Sequence, residues 1–169
     1  WSVSDSKTFE AELNQLINDS NHGFSRILGA PHEKSSDLGD SYSTSFAFAG
    51  SGTDYGKSIW KWSDGSWEYS CSLLDGADVQ PARSAYEQFK GRIIKALGSS
   101  WRVEQDSNEL GEGYLEMVND EGKLSIALDL NLVEGNGLSD IKFSMKKQPG
   151  GKDVLISASP ASSEATSPR

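Results

Sequence analysis

The chain has 169 residues, 36% hydrophobic and 24% charged, which predicts one soluble domain that buries roughly two thirds of the surface its unfolded form exposes. Its formal net charge of −9, with Lys146-Lys147 as the longest cationic cluster, excludes nucleic acid and an anionic membrane surface as main partners, because phosphate binding needs clustered Lys and Arg that release counterions. Cys71 is the single cysteine, which rules out an intramolecular disulfide and a cysteine-based zinc site, and no apolar run reaches the ~18 residues of a membrane span.

The chain opens at Trp1 without a methionine and reads as a processed product or a fragment of a longer protein, from which any signal peptide is already gone. The first element is a helix over SKTFEAELNQLINDS. Phe9, Leu13, Leu16 and Ile17 form one apolar stripe, and Ser6 stands at the N-cap. Three strands follow, over about 42–49, 57–62 and 66–74, with apolar and polar residues alternating. The second helix, DVQPARSAYEQFKGRIIKALG, carries Pro81 in its first turn, a stripe of Ala85, Phe89, Ile93, Ala96 and Leu97, and Gly98 as its stop. A short extended piece around Trp101 leads to three further strands, over about 113–119, 123–132 and 138–146. From about Gly150 the sequence is Ser-, Ala- and Pro-rich, so residues 1–149 are expected to form one α+β domain and 150–169 a flexible tail or linker.

Turn residues set the expected registers. A two-residue turn at Asp64-Gly65 aligns Trp62 with Trp67 and Trp60 with Tyr69, putting all four aromatics on one face with Cys71 and Leu73. A turn at Asn136-Gly137 aligns Leu132 with Ile141, Leu130 with Phe143 and Leu128 with Met145. One at Glu121-Gly122 aligns Met117 with Ile126 and Leu115 with Leu128. The fold class is therefore α+β: two α-β-β-β units, about 5–75 and 78–147, forming an antiparallel sheet with two amphipathic helices on its apolar face. The equal size of the halves suggests an internal repeat, with Phe24-Ser-Arg-Ile after the first helix matching Trp101-Arg-Val-Glu after the second.

That element order over roughly residues 5 to 147, in a small acidic chain, resembles at fold level the type III secretion chaperones and other small bacterial proteins with duplicated α-β-β-β domains. The resemblance implies a bacterial origin and, on its chaperone side, a dimer that holds an extended client segment. It rests on no motif, so it carries over no functional residue. The Ser/Pro-rich tail stands where such chaperones usually add a helix.

No catalytic or cofactor constellation emerges. GSGTDYG (50–56) lacks the ending of a phosphate-binding loop and leads into a strand. His22 and His32 would need acids such as Asp19, Glu33 or Asp37 to hold a metal, and read instead as loop residues. Cys71 is placed inward as a small hydrophobe, and the acid pairs Glu10/Glu12 and Glu109/Glu112 have no glycosidase spacing. Asn18-Asp19-Ser20 matches a glycosylation sequon but falls within the first helix.

The expected function is a non-catalytic binding or interaction module without cofactor or metal, monomeric, with a protein partner. An extracytoplasmic setting is favoured over the cytoplasm. The chaperone-like dimer is the alternative. The tryptophans are expected mainly in the core, with Trp62 or Trp67 beside the turn lining a groove. The outward face, with Ser43, Ser45, Ala47, Ser70, Ser72, Ser125, Ala127 and Ser144, is expected to be flat and small, either solvent surface or a partner platform.

Overall fold

The computed structural model describes residues 6–32, 37–49, 56–108, 112–132 and 138–155. Helix α1 (Ser6–Ser20) forms where Phe9, Leu13, Leu16 and Ile17 recur on one face, and all four are buried. It closes on two successive left-handed residues, Gly23 (φ 63°) and Phe24 (φ 57°), with the Phe24 N–H donating to the Asp19 carbonyl at 2.8 Å. That conformation is costly for a phenylalanine, and the complete burial of its ring beside Tyr69 offsets the cost. Helix α2 (Val79–Leu97) starts after Asp78 and stops at Gly98, whose φ of 72° suits a residue without Cβ. Ala82, Ala85, Tyr86, Phe89, Ile93 and Leu97 form its buried face, with Ala96 half-buried beside them. The helices meet through Phe9 and Phe89, ring centroids 5.8 Å apart.

The strands are β1 (Leu28–Pro31), β2 (Gly39–Thr44), β3 (Lys57–Trp62), β4 (Trp67–Ala77), β5 (Arg102–Ser107), β6 (Gly113–Asn119), β7 (Leu124–Asn131) and β8 (Ser139–Lys147). They form one antiparallel sheet in the order β1-β2-β3-β4-β8-β7-β6-β5, so the fold is α+β as expected. Each half runs helix, then a four-strand meander, and the last strands of the two meanders, β4 and β8, pair at the centre. Units of three strands underestimated both halves. β1 is four residues ending in Pro31, and β5 alternates charge with polarity, so neither shows an apolar period.

The hairpin registers divide instructively. At Glu121-Gly122 the expected pairs Met117 with Ile126 and Leu115 with Leu128 are found. Across β7 and β8, Leu130 faces Ile141, Leu128 faces Phe143 and Ile126 faces Met145. This is two residues from the expected alignment, and the period of two keeps every apolar side chain on the helix-covered face. The Asn136-Gly137 turn itself lies outside the described residues.

At Asp64-Gly65 the slip is one residue, and its consequence is larger. Ile59 pairs Tyr69, Trp60 pairs Glu68 and Lys61 pairs Trp67. The loop holds three residues: Trp62 N–H donates to the Ser66 carbonyl at 2.8 Å, Gly65 N–H to the Trp62 carbonyl at 3.0 Å, and Gly65 takes φ 90°. Asp64 Oδ1 accepts from both the Ser66 N–H (2.8 Å) and hydroxyl (2.6 Å), which favours this turn over the two-residue form. β3 is thereby flipped: Ile59 enters the core, and Trp60 and Trp62 leave it for the helix-free face.

Two other expectations shift. The strand predicted over 42–49 ends at Thr44, because Thr44 Oγ1 accepts the Phe46 N–H at 3.2 Å and turns the chain out of the ladder. Phe46 and Phe48 still bury their rings, held by the Tyr69 hydroxyl on the Phe46 carbonyl (3.0 Å). Past Gly150 the chain also stays attached. Lys152 N–H donates to the Glu121 carbonyl at 2.9 Å, Asn21 bonds both the N–H (2.9 Å) and the carbonyl (3.0 Å) of Val154, and Val154 is buried. The packed segment thus continues to Val154, and the remainder of the expected tail, 156–169, lies outside the described residues.

Candidate functional site: a polar trough on the helix-free sheet face

Among the described residues, the helices cover one face of the sheet and leave the other open. On the open face the registers place Ser58, Ser70, Ser144 and Ala127 opposite one another on β3, β4, β8 and β7. These short side chains form the floor of a trough of about 770 Å³. Its lining continues through Ser41 and Ser43 on β2 and Ser72 on β4 to Lys142, Asp129 and Tyr114 on β8, β7 and β6. Six adjacent strands contribute, so the trough extends about 24 Å across the sheet.

The row on one side of the floor is aromatic and charged: Trp60 faces Glu68, and Glu68 faces Lys146. Trp60 and Trp62 stack with centroids 5.1 Å apart and planes 13° apart, both half-buried. Trp62 Nε1 donates to Glu68 Oε1 at 2.9 Å, and the Lys146 ammonium lies 5.9 Å from the Trp62 ring centroid. A hydrogen bond, a ring stack and a cation on one indole fix its orientation, so this is a pre-set aromatic wall beside the trough, not part of its lining.

The row on the other side pairs Lys142 with Asp129 and Asp129 with Tyr114. Desolvation at the trough, then Asp140 and Glu112, raise the Asp129 carboxyl above its ordinary value, with Lys142 opposing. Desolvation followed by Glu116, Asp129 and Glu68 raises the Tyr114 phenol, which therefore stays a protonated donor at neutral pH. At the β1 end, His32 Nδ1 lies 2.6 Å from the Ser41 hydroxyl, and the His32 backbone N–H donates to the Ser41 carbonyl at 2.8 Å.

Of the residues singled out from sequence, Ser43, Ser70 and Ser72 line this trough and Trp62 stands on the same face. Two are displaced. Ser45 falls after the end of β2 and is not on the sheet. Trp67 lies on the opposite face, 6.0 Å from Tyr42 and under the Lys61 ammonium (5.4 Å), because it shares the face of its buried neighbour Tyr69. The expected core placement of Trp60 and Trp62 is likewise overturned by the β3 register. Sequence reading missed Ser41, Ser58, Tyr114, Asp129 and Lys142. The cross-strand order β2-β3-β4-β8-β7-β6 makes them neighbours, and the β4–β8 pairing has no local signal.

No protein-family model, curated protein or solved structure matches this chain. Among the described residues, no group of three or more His, Cys, Asp or Glu side chains is placed to hold a metal ion, and no helix is long and apolar enough to cross a membrane. Cys71 is buried, and desolvation pushes its thiol up to about 12, far from the thiolate a nucleophile needs. The glycine-rich 50–55 segment lies outside the described residues.

Proposed function

We propose that this chain is a non-catalytic, monomeric binding module that receives its partner on the helix-free sheet face. The observation that carries the reading is the trough, floored by short hydroxyl side chains along a path wide enough for an extended molecule, with the stacked tryptophan pair in the next row of the same face. The Ser41–His32 contact supports no nucleophile, since Ser41 is only 7% exposed and its hydroxyl sits in the β1–β2 junction. The matching element order of the two halves supports their reading as a repeat.

The alternative is a secretion-chaperone-like dimer that adds a client strand to a sheet edge. Both edges argue against that mode. β1 is short, ends in Pro31 and has an irregular register, and β5 carries Arg102, Glu104 and Asp106 with a register shift between Val103 and Gln105. Prolines, charges and bulges are the features that keep an edge from pairing.

Glycan and peptide arrays probed with three proteins distinguish the readings. The wild type and an edge variant, Val103→Lys, should give the same pattern, and a face variant, Ser70→Arg/Ser144→Arg, should lose it. Signal lost in the edge variant but kept in the face variant refutes face docking. A tight dimer whose Tm rises with protein concentration moves the chaperone-like reading to first place.

A further inference from the structure

The open face also carries information about the chemistry of its occupant. We infer that the ligand is an uncharged, linear oligosaccharide lying across the strands, with a sugar ring against the Trp60–Trp62 wall. This inference rests on the face-docking reading and adds the ligand class.

Three observations narrow the class. The first is hydrogen-bond type. Backbone N–H and C=O groups in the middle of the sheet are consumed by the ladders between β3, β4, β8 and β7, so the floor offers side-chain groups instead. Those groups are the hydroxyls of Ser43, Ser58, Ser70, Ser72 and Ser144. Ser43 and Ser72 already donate to the Ala30 and Leu74 carbonyls and Ser58 lies 3.5 Å from Ser70, so the floor offers mainly acceptor lone pairs. A sugar's ring hydroxyls can donate to those lone pairs. A polypeptide would leave its main-chain amides competing for a floor without backbone partners.

The second is charge. Two pairs of opposite charges face each other here, Glu68 with Lys146 and Asp129 with Lys142, while Glu116 opposite Ala127 and Asp140 opposite Asn131 add acids that no cation faces. The chain as a whole carries −9, which repels an anionic polymer. That acidity suits a ligand without carboxylates, sulfates or phosphates.

The third is the aromatic wall. Trp60 and Trp62 are held parallel, and Lys146 and Glu68 fix the outer indole. The C–H bonds on one side of a pyranose ring are apolar and slightly positive, and they complement the electron-rich face of an indole. A protein partner would instead call for apolar pockets around buried anchors, and the floor of Ser58, Ser70, Ser144 and Ala127 supplies none. The span of about 24 Å suits a short chain of sugars rather than one ring.

The full chain is titrated with cellohexaose, maltohexaose, xylohexaose and chitohexaose, and separately with hyaluronan hexasaccharide, poly-L-proline decamer and reduced, carboxymethylated lactalbumin. Calorimetry and amide chemical shifts are read together. One neutral hexasaccharide should bind at 1:1, with shifts confined to β3, β4, β8 and β7, and bind at least tenfold more tightly than its monosaccharide. Trp60→Ala and, independently, Ser70→Arg should each weaken it at least tenfold, whereas Trp67→Phe on the opposite face should not. Preference for hyaluronan overturns the uncharged ligand. Open-face shifts with the proline decamer or the lactalbumin chain, and none with the sugars, overturn the oligosaccharide but keep face docking. An open face that responds to none of these probes overturns both.

Discussion

The β3 register can be tested by two neighbouring truncations, Ile59→Ala and Trp60→Ala. If the pairs are Ile59–Tyr69 and Trp60–Glu68, the smaller residue is the one the fold depends on. Ile59 is 0% exposed and sits in the core with Tyr69, so removing three carbons leaves a cavity that Tyr69 and Phe46, fixed by their hydrogen bond, cannot easily fill. Such a change costs about 3–4 kcal/mol. Trp60 is half-buried on the open face and loses its stack on Trp62 together with part of its area, which costs about 1 kcal/mol. With a urea dependence of about 2 kcal/mol per molar, the midpoint should fall by about 1.5–2 M for Ile59→Ala and by about 0.5 M for Trp60→Ala. Tryptophan emission should separate them too, because acrylamide should reach the half-buried Trp60 and Trp62 in the wild type. An equal or larger loss for Trp60→Ala would restore the two-residue turn, return the tryptophans to the core and remove the aromatic wall of the site.

Three further outcomes follow from other contacts. Gly113→Ala places a Cβ 2.7 Å from the Tyr86 ring, so thermal melts should show a loss of about 1–3 kcal/mol; an unchanged Tm would mean that α2 rides higher over β6. Asn21→Ala removes both hydrogen bonds to Val154, so limited proteolysis with mass spectrometry should show new cuts after Gln148 that the wild type resists, and identical digests would refute the docking of this segment. Glu12 has one carboxylate oxygen buried without a partner and the other accepting from Ala49 N–H at 2.8 Å; desolvation raises its pKa, with that hydrogen bond opposing. Below the ordinary carboxyl value both states are protonated and the full stability is present; as pH rises the unfolded chain ionises first, so stability falls until the folded carboxyl follows. The stability of Glu12→Gln relative to wild type should therefore rise as pH increases through and above the ordinary carboxyl value in denaturation curves, and a relative fall would reverse the sign of the shift.

The sequence was legible wherever a pattern was redundant. Both helices announced themselves by stripes, and α2 added a proline at one end and a glycine at the other. The β6–β7 hairpin was readable because its apolar residues alternate in both strands and only one short turn connects them. β7–β8 was readable to its face but not its register, since a shift of two conserves alternation. β3 was not readable. Its strand KSIWKW carries apolar residues on both faces, Ile59 on one and Trp60 with Trp62 on the other, so periodicity points to the heavier side. What decides the matter is the Asp64 side chain satisfying Ser66 and the company Ile59 keeps beneath the helices, a choice between turns a few tenths of a nanometre apart and a contact made only in the folded state. The bulge after Ser72 was equally silent: it lets Leu73 and Leu74, adjacent in sequence, both enter the core.

That same bulged strand ties the site to the architecture. β4 and β8 each end a meander, and their pairing puts both weak edges at the outside and the two longest strands at the centre. The trough straddles this seam. Ser41, Ser58, Ser70 and Ser72 come from the first half; Ser144, Lys142, Asp129, Ala127 and Tyr114 come from the second. Neither half holds the floor together with both walls: the tryptophans belong to the first, the Asp129–Tyr114 side to the second, and Glu68 meets Lys146 only across β4 and β8. Joining the units therefore does more than bury two apolar faces under two helices. It removes the two strand edges most open to pairing and, by the same hydrogen bonds, assembles a surface on which serines, an aromatic wall and facing charge pairs lie side by side. A residue on this seam that disturbs the ladder should harm stability and binding together, whereas Trp60, away from it, should affect mainly binding.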